Sequence, residues 1–180
     1  VTGSKGYIGS RLADMLLEKQ KKIKVLDNNY FEDCSFNINS ISDNITPIKK
    51  DIRDIEVEDF DNVKIVLHLA ALSNDPIGNL NSTWTDEINN NATVRMAKMA
   101  KKAGVERFIF SSSCIMYGNA KTDEVNEETP VDPNTDYAKS KVLAEQKIME
   151  LSDNNFSVTS LRNGTVYGYS KYMRFDTVTN

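Results

Sequence analysis

At 180 residues the chain has the length of a single domain with room for a real core. Its composition is globular, 39% hydrophobic and 27% charged, and a formal charge of -4 argues against a broad nucleic-acid or anionic-membrane surface. No apolar run approaches the roughly 20 residues that cross a bilayer, and Cys34 and Cys114 are too few and scattered for a disulfide framework or a zinc cluster. No metal site is expected, and reduced thiols point to the cytoplasm.

Val1-Thr2-Gly3 reads as the last step of a strand entering a turn, and Asn180 follows no helix stop or linker signal. Both ends are therefore expected to be cuts within a longer protein. Gly3, Gly6 and Gly9 lie three apart before a run of helical period, Ile8, Leu12, Met15 and Leu16, which is taken as the buried face. Glycines in such a turn let the backbone, from Gly3 through Tyr7, Ile8 and Gly9, approach a pyrophosphate at a helix N-terminus. A plain tight turn is the alternative.

Ile23 to Leu26 predicts the next strand, ending on Asp27, 18 residues after Gly9. An acid at that spacing hydrogen-bonds the adenosine ribose, and its charge repels a 2'-phosphate, so NAD is expected rather than NADP. Asn28 to Ser42 is polar and without period, a surface loop. Ile45 to Ile48 predicts a short strand followed by Asp51 and Ile52, where an adenine edge can be met; alternatively Asp51 caps the helical turn Ile55 to Phe60.

Lys64 to Ala71 is a continuous apolar run ending in small residues, with Leu69, Ala70 and Ala71 giving a cofactor room against the backbone. His68, the only histidine, has no acidic or serine partner at a recognisable spacing and reads as a satisfied strand-end residue. Thr83 to Ala103 is a helix whose Ile88, Ala92, Met96, Met99, Ala100 and Ala103 face a core or a subunit contact, and Gly104 stops it. Arg107 to Phe110 is a strand opening onto Ser111, Ser112 and Ser113, either crevice hydroxyls for a substrate oxygen or a serine-rich turn. The acidic stretch Lys121 to Pro133 reads as a loop over the crevice.

Thr135 can cap a helix buried through Val142, Leu143, Ile148 and Leu151, on which Tyr137 and Lys141 share a face. A free phenol titrates near ~10, so a tyrosine base at neutral pH needs about 4 kcal/mol of help, the order of what a cation ~4 Å away supplies. The pair alone also fits a core-edge aromatic beside a solvated charge. Ser157 to Leu161 is a final strand, and Arg162 to Gly168 leads into an irregular cationic tail through Lys171 and Arg174 that can meet an anion such as a diphosphate.

Strands alternating with helices imply an α/β domain over 1–180, a doubly wound parallel sheet of Rossmann type, truncated at both ends. With these motifs in this order the chain resembles the extended short-chain dehydrogenase/reductase family, in its NAD-dependent epimerase/dehydratase branch. The resemblance implies that Asn89 is the helix asparagine of the cofactor site and that Ser113, Tyr137 and Lys141 are catalytic. It also places Asn163 and Thr165 in the passage towards a nucleotide-sugar site.

The implied mechanism has Tyr137 take a proton from a sugar hydroxyl while the carbon beneath gives hydride to NAD. Ser113 holds the oxygen, and Lys141 grips the nicotinamide ribose. The 4,6-dehydratases of this branch carry an Asp-Glu pair where Cys114 and Ile115 stand, so epimerase or oxidoreductase chemistry is favoured over dehydration. The resemblance further implies a substrate domain largely absent from this chain, and a homodimer formed through the helices Thr83 to Ala103 and Thr135 to Leu151. A reductase of another carbonyl compound and a non-catalytic dinucleotide sensor are the competing readings.

Overall fold

The computed structural model describes residues 1–30, 42–73, 75–120 and 124–172. Among them β1 (Ile23–Asp27) pairs with β2 (Ile45–Lys49), and β3 (Ile65–His68) pairs with β4 (Arg107–Ser113), which pairs with β5 (Ser157–Asn163), all parallel. Thr2 joins the two sets, bridging Leu26 on one side and His68 on the other. The layer order is therefore β2, β1, Thr2, β3, β4, β5, the Rossmann-type arrangement expected. Pro47 is tolerated because β2 pairs only with β1 among the described strands.

Helices connect the strands: α1 (Tyr7–Glu18), α2 (Asp75–Gly78), α3 (Ser82–Thr85), α4 (Thr93–Lys102) and α5 (Asp136–Met149). Phe108, Phe110, Phe156, Met96 and Ile148 form the centre of the core, each essentially inaccessible. Gly104, at φ +82°, ends α4 in the left-handed conformation that a side chain resists.

Several expectations change. On α1 the buried residues are Gly9, Ser10 and Ala13, while Ile8 and Met15 are exposed, because the helix is drawn so close to the glycine turn that only small residues fit. The serines after Phe110 are not a turn: pairing with β5 carries β4 through Ser113. Leu143 is exposed, and the charged Lys141 and Glu145 take buried positions on α5. Helix α2 adds an element to those expected, and between α3 and α4 the backbone of Asp86–Ala92 widens to a π-helix that turns Asn89 and Asn90 inward. The expected loop from Asn28 to Ser42, and Cys34 with it, falls mostly outside the described residues.

A knot of hydrogen bonds holds the centre. Thr2 Oγ1 accepts from the amides of Leu69 and Ala70, both at 3.2 Å, so its own proton goes to His68 Nδ1 at 2.8 Å. The other ring nitrogen then carries the hydrogen and donates to Thr93 Oγ1 at 2.8 Å. Burial, reinforced by the Lys141 charge, pushes the imidazole pKa down to about 3, so the ring stays neutral in this role. His68 is the satisfied structural residue the sequence suggested. Thr2→Val keeps the shape and removes the junction, leaving buried polar groups unpaired, and is expected to cost roughly 2 kcal/mol. A urea midpoint that does not move would contradict this.

Candidate active site

The cradle at the carboxyl end of the sheet is built from glycines that cannot be replaced. Gly3 sits at φ +67°, and a Cβ there would stand 2.8 Å from the amide nitrogen of Ala70. One on Gly9 would stand 2.0 Å from the Gly3 carbonyl oxygen. The turn therefore lies directly on the small-residue strand end Leu69 to Ala71. Gly6 precedes α1 without a side-chain cap, leaving the first-turn amides for a ligand anion. The donor set and the tight turn fit the pyrophosphate of a dinucleotide.

Asp27 ends β1 and holds the turn: its carboxylate accepts from the Lys5 amide and from the Asn29 amide, each at 2.8 Å. A carboxylate offers about four acceptor positions, so two bonds leave capacity for ribose hydroxyls. Asp51 caps the 3-10 turn Ile52–Asp54 and is bound in a fork by Arg53, at 3.0 Å through both Nε and Nη2. Those bonds hold its carboxyl below the usual carboxylate range. The turn Val57–Phe60, which Asp51 was an alternative candidate to cap, is capped by Glu56 instead. The Ile52 side chain is in the core, leaving only its backbone for an adenine contact.

Asn89 differs from expectation. It is fully buried, with Oδ1 accepting from the Leu72 amide at 2.8 Å and Nδ2 donating to the Leu72 carbonyl at 3.0 Å and to Ser140 Oγ at 3.2 Å. Its work is to tie the segment after β3 to α5, and no surface remains for direct cofactor contact. Tyr7 donates from its hydroxyl to the Gly168 carbonyl, so the chain after β5 crosses the start of α1.

Tyr137 and Lys141 lie one turn apart on α5, which begins at the Thr135 cap, where Oγ1 accepts from the Ala138 amide at 3.1 Å. Lys141 is buried and donates from Nζ to the Ser111 carbonyl at 3.0 Å. Its ammonium sits 4.8 Å from the centre of the Phe110 ring and 5.7 Å from that of Tyr137. A cation this near a phenol favours its ionised form. Desolvation pushes the lysine pKa down to about 8, so at neutral pH it remains mostly charged. Tyr137 is braced from behind as well, since Ser140 donates to its carbonyl at 2.7 Å.

Ser113 ends β4, and its Oγ accepts from the Ile115 amide at 3.3 Å. That bond occupies a lone pair and leaves the hydroxyl proton for an oxygen in the crevice. Cys114 follows it, exposed. Gly118 closes this turn at φ +51°, where a Cβ would collide with the Asp132 carbonyl oxygen at 1.8 Å.

On the far side, Asn163 Nδ2 donates to Ser111 Oγ at 3.1 Å, while Thr165 is exposed. Arg162 is part of β5, not of an irregular tail, and binds Glu145 at 2.7 Å through Nη2 and Tyr117 Oη at 2.7 Å through Nη1. Lys171 pairs with Asp14 at 2.8 Å, so the expected diphosphate role of this tail has lost two of its cations to internal partners. Arg174 lies outside the described residues. Ser140 and Glu145 carry no mark in the sequence, because the partners Asn89 and Arg162 are distant in the chain and leave no periodic signal.

A model of the NAD dependent epimerase/dehydratase family matches residues 1–179. The chain belongs to that family. It is 30% identical over 179 residues to UDP-glucose 4-epimerase of Bacillus subtilis, covering 93% of this chain and 52% of the relative. It is likewise 30% identical over 184 residues to dTDP-D-glucose 4,6-dehydratase of Mus musculus, covering 96% and 51%. The solved structure of MoeE5 in complex with UDP-glucose and NAD matches with a TM-score of 0.77 at 27% identity, covering 89% of this chain and 52% of that one. The chain thus spans about half the length of the relatives it matches. Among the described residues no helix is long and apolar enough to cross a membrane.

The buried lysine has a measurable signature in the cofactor-free protein. Its folded pKa of about 8 lies below the ordinary lysine value of 10.5, so between these limits the unfolded chain holds a proton that the folded one has released. Stability therefore rises with pH across that window, by roughly 3 kcal/mol from this group. Lys141→Met is expected to be more stable than the parent below pH 8, with the advantage closing towards pH 10.5. A gap in urea midpoints that stays constant with pH would count against the assignment.

Proposed function

We propose that the full-length protein is a nucleotide-sugar epimerase or oxidoreductase in which Tyr137 is the base, Lys141 the cation that makes it one, and Ser113 the donor to the reacting oxygen. The observation that carries this reading is the burial of the Lys141 ammonium beside the Tyr137 ring, anchored on the strand that ends in Ser113. A buried ammonium is costly to hold, and a purely structural position would be filled more stably by a neutral side chain.

Gly3, Gly6, Gly9 and the first amides of α1 would hold the cofactor pyrophosphate, with Asp27 on the adenosine ribose, Asp51 and Ile52 by the adenine and Leu69 to Ala71 beneath. NAD, when bound, supplies the hydride acceptor and donor. Tyr137 takes the proton of a sugar hydroxyl, Lys141 stabilises the phenolate that makes this favourable, and the Ser113 hydroxyl holds the same oxygen. Asn163 and Thr165 flank the route towards the nucleotide.

Cys114 and Ile115 offer no carboxyl group to expel water from the sugar, which favours epimerisation or oxidation over dehydration. A dinucleotide sensor would need the glycine turn but neither Tyr137 nor the buried lysine. The reading extends to a cytoplasmic homodimer.

Tyr137→Phe in the full-length protein is expected to lower kcat by about 100- to 10,000-fold and Ser113→Ala by about 100-fold, with NAD still bound. Incubating the loaded protein with UDP-glucose and following the absorbance of reduced nicotinamide checks both. Normal turnover by Tyr137→Phe would end the proposal.

A further inference from the structure

Helix α2 takes no part in the nucleotide-binding pattern, yet its contacts converge on the start of α5. At one end, Asp75 Oδ1 accepts a hydrogen bond from Thr135 Oγ1 at 2.7 Å. The same oxygen of Thr135 accepts from the Ala138 amide at 3.1 Å. A hydroxyl has one proton; spending it on a carboxylate keeps a lone pair aimed at the helix amide and strengthens both bonds.

At the other end Gly78 is buried, and a Cβ built on it would stand 2.9 Å from the Tyr137 Cβ and 3.5 Å from its Cα. Gly78 is not among the glycines with positive φ, so its own backbone would accept alanine. What excludes a side chain is Tyr137. Nor can Gly78 retreat freely, because its carbonyl accepts from the fully buried Thr85 hydroxyl at 2.7 Å. The segment before α2 is tied down in turn, through Leu72 to Asn89 and from Asn89 to Ser140.

We propose that α2 is the stop that sets where Tyr137 stands: Asp75 and Gly78 are positioning residues for the phenol, Asp75 through the Thr135 cap and Gly78 by direct backbone contact. This rests on the reading of Tyr137 as the base. Neither residue touches the reacting atoms. Their effect is on the distance between the phenol, Lys141 and the substrate hydroxyl, where a shift of ~1 Å can cost about 100-fold in rate.

The test uses the full-length protein loaded with NAD and UDP-glucose as probe. Gly78→Ala is expected to lower kcat about tenfold, with KM and NAD affinity within about twofold of the parent. Asp75→Ala is expected to lower kcat about fivefold and Asp75→Asn to restore most of it, since the amide oxygen still accepts the Thr135 proton. In a Thr135→Val background Asp75→Ala should do nothing further.

Unchanged kcat in both single variants overturns the proposal, as does a loss that merely follows melting temperature and NAD affinity. Should Gly78→Ala fail to fold, the Asp75 and Thr135 cycle decides: coupled losses support the proposal and additive losses overturn it. A separate readout needs no turnover. In cofactor-free protein carrying carbon-13 tyrosine, assigned with Tyr137→Phe, the Tyr137 ring resonance should shift in Asp75→Ala and not in Asp75→Asn, and a resonance that stays put in both overturns it. If Tyr137→Phe turns over normally while that resonance does shift, the base assignment has failed and the positioning contact has not.

Discussion

The site depends on one unfavourable act, the removal of the Lys141 ammonium from water. Among the described residues its partners are neutral, the carbonyl of Ser111 and the face of Phe110. Such partners satisfy a hydrogen bond without cancelling the charge, so the field of the cation remains directed at Tyr137. A carboxylate in the same place would stabilise the lysine and blunt its effect. Glu145, one turn further along the same helix, is engaged with Arg162 and Ser160.

Around that charge the fold arranges neutrality. His68, close enough for the Lys141 charge to act on it, is kept uncharged by burial and by a hydroxyl on either side. The same ring closes the sheet, because Thr2 stands between β1 and β3 and its hydroxyl serves both the imidazole and the strand-end amides. The glycine turn and the helix layer are thus joined through one small polar knot: the turn begins at Thr2, and Thr93 carries the connection into α4.

On the proposed reading, Cys114 and Ile115 favour epimerisation or oxidation over dehydration. The family to which the chain belongs contains epimerases and dehydratases built on the same dinucleotide domain, and the relatives matched include both. At the end of β4 the side chains that follow Ser113 are those of Cys114 and Ile115. A thiol and an aliphatic chain at those positions are poorly suited to carrying a proton to a departing hydroxyl.

Much of this was legible from residue order alone. The glycine spacing, Asp27 after its strand, the continuous apolar run ending at Ala71 and the Tyr137/Lys141 pair each express a local rule of backbone or periodicity, and such rules survive in one dimension. What tertiary structure alone decided involves partners far apart in the chain. Leu143 looked buried and is not, because the sheet lies against the face of α5 that carries Lys141 and Glu145. Asn89 looked like a cofactor contact and is a brace, because the π-turn rotates it onto Leu72 and Ser140. Arg162 looked like part of a cationic tail and is a strand residue spent on Glu145. Periodicity names the faces of a helix, but only packing chooses among them, and a charge seen in sequence carries no mark of the partner that will neutralise it.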